Sequence, residues 1–418
     1  YQFNATKVAQ FPLPAQRPLA RARTLDRLAQ QLAGVRPAAV CAAGVPSRKA
    51  LDEARAEYER IRGEMVAVQE ELDWEVYGLY GLLDDDLTAP TDAVPQLKLG
   101  ERAFEIVLAR KVAAGEAKTQ WFARHGSVPI TELPSHWPDA YRKVVQRRIR
   151  LIEERTDIAL IERPECKRRW AAAPWEEQEK AALRDWLLDR LEEPTLWRHH
   201  GRARPLSVAQ LADRIGSDGD FRSVLALYCG RDDYDLVAEL VRLAETEAVP
   251  YLAAHRYKPS GLRKRAVWER TWELQRREDA NEDVGDIPVP PKYTPADYAK
   301  PSYWRNRGKL DVPKERFILY PNAERGADRT PVLGWAGWNH REQADALATL
   351  YLSRKTDDGW SAERLLPLLA GLVELEPWLH QWHTDPDESP AQHYTRFIDS
   401  ELAALGFGRA DLTADILT

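Results

Sequence analysis

Between Ser47 and Tyr80, apolar side chains recur at Leu51, Ala54, Tyr58, Ile61, Met65, Val68, Leu72, Val76 and Leu79, in steps that are mainly three and four. Only an α-helix brings such positions to one side, as a narrow seam of the coiled-coil kind. Ser47 offers a hydroxyl to cap its start. Thirty-odd residues at 1.5 Å each give roughly 50 Å, a strut rather than a core element. The last part reads EELDWEVYGLYGLL, which sets Trp74, Tyr77 and Tyr80 in a stripe beside Leu72, Val76 and Leu79. These aromatics suit a docking knuckle where the strut meets another body, or alternatively a surface on which bases stack. Gly78 and Gly81 permit close backbone approach or the end of the helix.

The remaining pattern is also helical, with short periodic runs over residues 24–32, 101–114, 139–160, 174–191, 207–215, 221–228, 234–246 and 261–278. Residues 281–295, NEDVGDIPVPPKYTP, are acidic and proline-rich and read as a linker. Beyond them, KERFILYP (314–321) reads as a short strand, and helices are expected at 340–351, 361–382 and 391–405. The implied class is mainly α: a long strut helix and helical bundle, followed by a smaller α-rich C-terminal domain with little β. The boundaries expected are an extended lead-in with a short helix (1–46), the strut and a hairpin (47–115), a helical domain with basic patches (116–280), the linker (281–297) and a C-terminal domain (298–418).

With 30% charged residues and no long apolar run, the chain has no membrane-spanning segment. Cys41, Cys166 and Cys229 are widely spaced and odd in number, which fits a reducing cytoplasm better than a disulfide framework. The chain opens without Met and reads as a piece of something larger. Its net charge of −6 conceals alternation. Residues 142–170 hold ten basic against five acidic side chains, and residues 255–277 hold eight against two. The first cluster offers Arg142, Lys143, Arg147, Arg148 and Arg150; the second offers Arg263, Lys264, Arg265, Arg276 and Arg277. Both suit DNA phosphates, and both suit a solvated helix face. A third segment, KPSYWRNRGKLDVPKERFILYP, interleaves Arg305, Arg307 and Lys309 with Tyr303 and Trp304. Such a mixture can follow a nucleic-acid backbone, or dock on its own domain.

Enzyme signatures are sparse. No phosphate-binding G-x-x-x-x-G-K-[ST] and no G-x-G-x-x-G occurs. His380 and His383 lack the Glu of H-E-x-x-H, and Trp378 and Trp382 around them suggest a packed helix. Asp139, Glu165 and Lys167 match the spacing of a metal-dependent nuclease, but a helical period separates them. SVAQLADRIGSDGDFRSVLALY (207–228) begins like a helix-turn-helix; its second helix opens among acids and reads better as a packed hairpin.

ELDWEVYGLYGLL resembles the "LD-x-x-VY-x-LYGL" element of large adenine-specific DNA methyltransferases. YQFNATKVAQFPLP resembles the "F-x-x-TK-x-x-x-FPLP" segment that ends their preceding region. With KYTPADYAKPSYWRNRGKLDVPKERFILYPNAE and GWAGWNHREQADAL downstream, the whole resembles the C-terminal part of the PglX family, from bacteriophage exclusion (BREX) and phage growth limitation systems. That resemblance implies a parent that methylates adenine N6 using S-adenosylmethionine and acts on double-stranded DNA. Other defence proteins are implied as possible partners. It also implies that the cofactor motif and the Asn-Pro-Pro-Tyr-type motif lie elsewhere, since neither is present. No residue here is therefore assigned a catalytic, cofactor-binding or metal-binding role. Two readings stay open: a module supporting DNA engagement, and a module docking other BREX components.

Overall fold

A computed structural model describes residues 9–307, 315–384, 389–413 and 417. The chain divides into two compact units, Tyr1–Leu183 and Arg184–Thr418, and both are dominated by helices. The mainly α class is thus confirmed.

In the first unit the long helix runs Arg48–Leu79, and the Ser47 side chain accepts from the Ala50 N–H at 3.2 Å. It is a core spine rather than a free strut. Leu51, Ala54, Tyr58, Ile61 and Met65 are buried as the seam requires. Farther along, burial moves to Val66, Ala67, Glu70, Glu71 and Trp74, while Leu72, Val76 and Leu79 are only half covered. Part of the reason is geometric: a straight helix drifts about 20° per heptad against a 3.5-residue repeat, which carries the inward face toward later positions. The other part is enclosure, because the segments around Leu87–Ala89 and Ala103 and the helix Asp139–Glu154 all meet this end of the spine. The expected helix at 139–160 breaks at Arg155, which adopts an extended backbone between Asp139–Glu154 and Thr156–Ile161.

The second unit contains what little β structure the described residues show. One sheet has the order Leu206–Ser207, Val332–Trp335, Phe317–Tyr320, Ala248–Pro250, with only the last pair parallel. The strand expected from KERFILYP is its second interior member. Two of the four strands precede the expected linker and two follow it, so the compact units do not divide there. The proline-rich stretch packs on the helix Pro259–Asp279: the Pro291 carbonyl accepts from Trp268 Nε1 at 2.8 Å, and Tyr293 stacks on Tyr257 with ring centres 5.3 Å apart. Three sequential helices, His340–Thr356, Ala362–Trp382 and Pro390–Leu405, complete the unit close to their expected bounds.

Candidate functional site

The helix Asp139–Glu154 shows how one basic cluster divides between inside and outside. Tyr141, Val145, Ile149 and Ile152 form its apolar face. Arg148 falls on that same face and is 0% exposed. Its Nη2 lies 2.7 Å from Glu71 Oε1, and its Nε and Nη2 donate to the Leu87 carbonyl at 2.9 and 2.7 Å. The guanidinium sits 5.3 Å from the Trp74 ring centre. Arg148 therefore cannot serve as the phosphate contact expected of it. Lys143, Arg147 and Arg150 are exposed, and their i, i+4, i+7 spacing makes one stripe roughly 10 Å long. Arg147 reaches Asp85 at 2.6 Å, an exposed pair of the kind that contributes little and yields readily to competition. Arg142 is only partly exposed and lies 3.5 Å from Asp139.

The second cluster is largely committed to internal partners. Lys264 binds Asp297 at 2.6 Å and the Lys292 carbonyl at 3.0 Å. Arg265 joins Glu374 and Glu269, each at 2.8 Å. Arg276 donates to Gln381, and Arg277 pairs with Glu282 at 2.7 Å. Arg263 alone of this set is exposed with no ion pair among the described residues. In the third segment Arg305 is exposed; Lys309 and the side chain of Arg307 lie outside the described residues.

The aromatic candidates turn inward as well. Trp74 is fully buried, with its Nε1 3.3 Å from Glu70 Oε1. Tyr77 is half covered and donates its phenol to Glu162 at 2.7 Å. Neither offers a docking or stacking face. Tyr80 is the partly exposed member; its hydroxyl donates to the Pro12 carbonyl at 2.9 Å and its ring meets Phe11 edge-on. Tyr303 is 5% exposed, and Trp304 packs edge-on to the buried Tyr298 at 5.4 Å. Tyr303 and Trp304 thus pack on their own unit.

Sequence reasoning missed the buried polar network that the EELDWEVY stretch organises. Glu71 also accepts from the Ala89 N–H at 2.7 Å, and Glu70 from the Ala103 N–H at 3.3 Å. Lys167 lies 2.7 Å from both Glu162 and Asp73. Burial alone would depress the Lys167 ammonium, but the surrounding carboxylates outweigh it and hold the lysine charged. Arg102 clasps Glu105 with Nε and Nη2 at 3.0 and 2.9 Å, while Trp121 Nε1 and the Gly100 N–H donate to the same carboxylate at 2.9 Å. Burial opposes ionisation of Glu105, yet these donors bring its pKa below the usual range. Ion pairs of Arg148 and Lys167 thus tie the spine to the helix Asp139–Glu154 and to the segment near Lys167, while Arg102 secures Glu105 at the start of a neighbouring helix. The signal was available: Glu70 and Glu71 each lie about one turn before Trp74, and Arg148 lies three residues after Val145 on an apolar stripe.

Among the described residues, no group of three or more His, Cys, Asp or Glu side chains is placed to hold a metal ion. His380 contacts Thr395 at 3.0 Å, and Lys167 of the nuclease-like spacing is locked in the core. Residues 207–228 form two helices, Val208–Ile215 and Gly219–Cys229, and the second buries Phe221, Val224 and Leu225, as a packed hairpin should. No helix among the described residues is long and apolar enough to cross a membrane.

Residues 65–415 match the model of a family described as a domain of unknown function, DUF7008. The chain belongs to this family. The DUF7008 chain is also 49% identical over 429 aligned residues to the adenine-specific methyltransferase PglX of Streptomyces coelicolor. That alignment takes in 99% of the chain but 35% of the relative, its C-terminal part. The chain therefore spans about a third of the length of that relative. No solved structure matches it.

Proposed function

We propose that this chain is a non-catalytic C-terminal module of an S-adenosylmethionine-dependent, adenine-N6 DNA methyltransferase of bacterial phage defence, acting in the cytoplasm. Its task is to support DNA engagement or to position the recognition region. The observation that carries the reading is the 49% identity, over nearly the whole chain, to part of an adenine-specific methyltransferase. The absence of both cofactor and target-adenine motifs from the sequence supports a helper role rather than chemistry. Within the chain, the exposed stripe of Lys143, Arg147 and Arg150 is the best-suited phosphate contact, with Arg263 and Arg305 as separate exposed cations.

A second reading, docking of another BREX component, is favoured by the exposed Trp272 and Trp382, large apolar side chains of the kind enriched at protein interfaces. Equilibrium binding to labelled duplex DNA at about 50 and about 200 mM salt separates the two. Three to five phosphate contacts predict a loss of roughly 40- to 500-fold across that range. Absence of binding at the lower salt overturns the DNA reading and leaves the docking one.

A further inference from the structure

Apart from the surfaces described above, the second unit contains a cavity of about 390 Å³, within the range of small-molecule sites. Its walls are the hairpin Arg198–His199/Arg202–Ala203, the turn through Arg325 and Asp328, and the last turns of the helix His340–Thr356. Four arginines line it, Arg202, Arg204, Arg325 and Arg354, against two carboxylates, Asp328 and Asp357. The pairing is uneven. Arg325 and Arg354 share Asp358 at 3.2 and 3.3 Å, and Arg354 spends its other donors on the Ala323 carbonyl. Asp328 accepts from the Thr330 N–H and hydroxyl at 2.9 and 2.7 Å and stays charged, but it makes no ion pair with these arginines among the described residues.

Arg202 and Arg204 are left with no side-chain carboxylate among the described residues, although Arg204 is partly buried. Their i, i+2 spacing sends both to one side of an extended segment, opposite the buried Ala203. Unneutralised guanidinium groups at a concave, partly desolvated wall favour an anion that accepts several hydrogen bonds at once. Ser353 adds a hydroxyl, while Pro205, Val332 and Leu350 give an apolar surface for the uncharged part of a ligand. His199, at the same wall, is held below its usual pKa by His200 first, then by burial, Arg204 and Arg214, which fits a positive local potential.

We propose that this cavity binds a small phosphate ester of mononucleotide size, with Arg202 and Arg204 as its charge-bearing contacts. The site is independent of the Lys143–Arg147–Arg150 stripe. Its test is calorimetric titration of the 418-residue chain with inorganic phosphate, AMP and adenosine, alongside Arg204→Ala and Arg202→Ala/Arg204→Ala variants. Thermal unfolding confirms that each variant is folded, and Arg204→Lys supplies a charge-retaining control. The expected result is that AMP binds more tightly than phosphate, adenosine does not bind, and Arg204→Ala weakens AMP at least tenfold while Arg204→Lys weakens it less. No AMP binding, equal binding of adenosine, or AMP binding indifferent to the alanine variants overturns the proposal. So does a result in which only duplex DNA depends on these arginines, which would make the cavity part of a DNA surface.

Discussion

Replacing Arg148 with Met tests whether the buried network holds the first unit together. The change keeps volume and removes a charge together with three hydrogen bonds, two to the Leu87 carbonyl and one to Glu71. Glu71, 2% exposed, would retain only the Ala89 N–H as a partner. Breaking a buried ion pair from one side costs about 3–5 kcal/mol, because the surviving charge stays desolvated. With a urea slope of about 1–3 kcal/mol/M, the midpoint of the transition reporting the first unit should fall by one molar or more. Tryptophan fluorescence during urea unfolding includes this transition, since Trp74, Trp121 and Trp137 are all in this core. Adding Glu71→Gln should recover much of the loss, as the orphaned charge is then gone. The pH dependence supplies a second check. Burial already raises the Glu71 pKa, with Arg148 opposing it, and losing Arg148 raises it further. A folded-state pKa above the unfolded one means the native state binds more protons, so the variant should regain stability as pH falls from 7 toward 5. A loss below about 1 kcal/mol, or a double variant no better than the single one, would refute the argument.

Other expectations follow from the same contacts. Gly100 has φ +101°, and a Cβ there would overlap the Val128 carbonyl oxygen, so Gly100→Ala should cost about 2–4 kcal/mol in the same urea assay. In the second unit, Asp297 is buried, which by itself would raise its pKa. Lys264, Thr294 and Ser260 outweigh that and hold it well below the usual range. Its contribution is therefore complete above a pH of about 4 and declines as pH falls below that value. Asp297→Asn should lower stability at pH 7 by about 1–3 kcal/mol and flatten the acid side of a melting-temperature profile.

What the sequence could convey depended on whether neighbours along the chain decide the outcome. The spine, its Ser47 cap and the three last helices follow from periodicity and capping, which are local, and they appear where expected. Of the sheet only the strand in KERFILYP was legible; the others are two to four residues long, and the partners come from both sides of a proline-rich stretch. That stretch looked like a linker from composition, yet Trp268 and Tyr257 give it a surface to pack on. The basic clusters were visible as charge, but charge alone does not separate Arg148 from Arg147. Only the position of each on the helix, inward beside Val145 or outward beside Lys143, makes one a core cation and the other a surface one. Of the aromatics in EELDWEVYGLYGLL, Trp74 and Tyr77 pack within their own unit, and the carboxylates they meet there are not evident from spacing alone.

The central claim is that the outward stripe of the Asp139–Glu154 helix meets DNA phosphates. The most direct measurement compares duplex affinity, as a function of salt, for the unaltered chain and for Lys143→Glu/Arg147→Glu/Arg150→Glu. Reversal of Arg60, Arg270 and Arg277, surface arginines paired with Glu57 and Glu64, with Glu273 and with Glu282, serves as the matched control. The account predicts that the stripe variant loses most of its affinity and that its log–log salt slope falls by about three, while the control, whose charges are mostly paired internally, changes far less. Unchanged affinity and slope in the stripe variant, or a larger loss in the control, would contradict it.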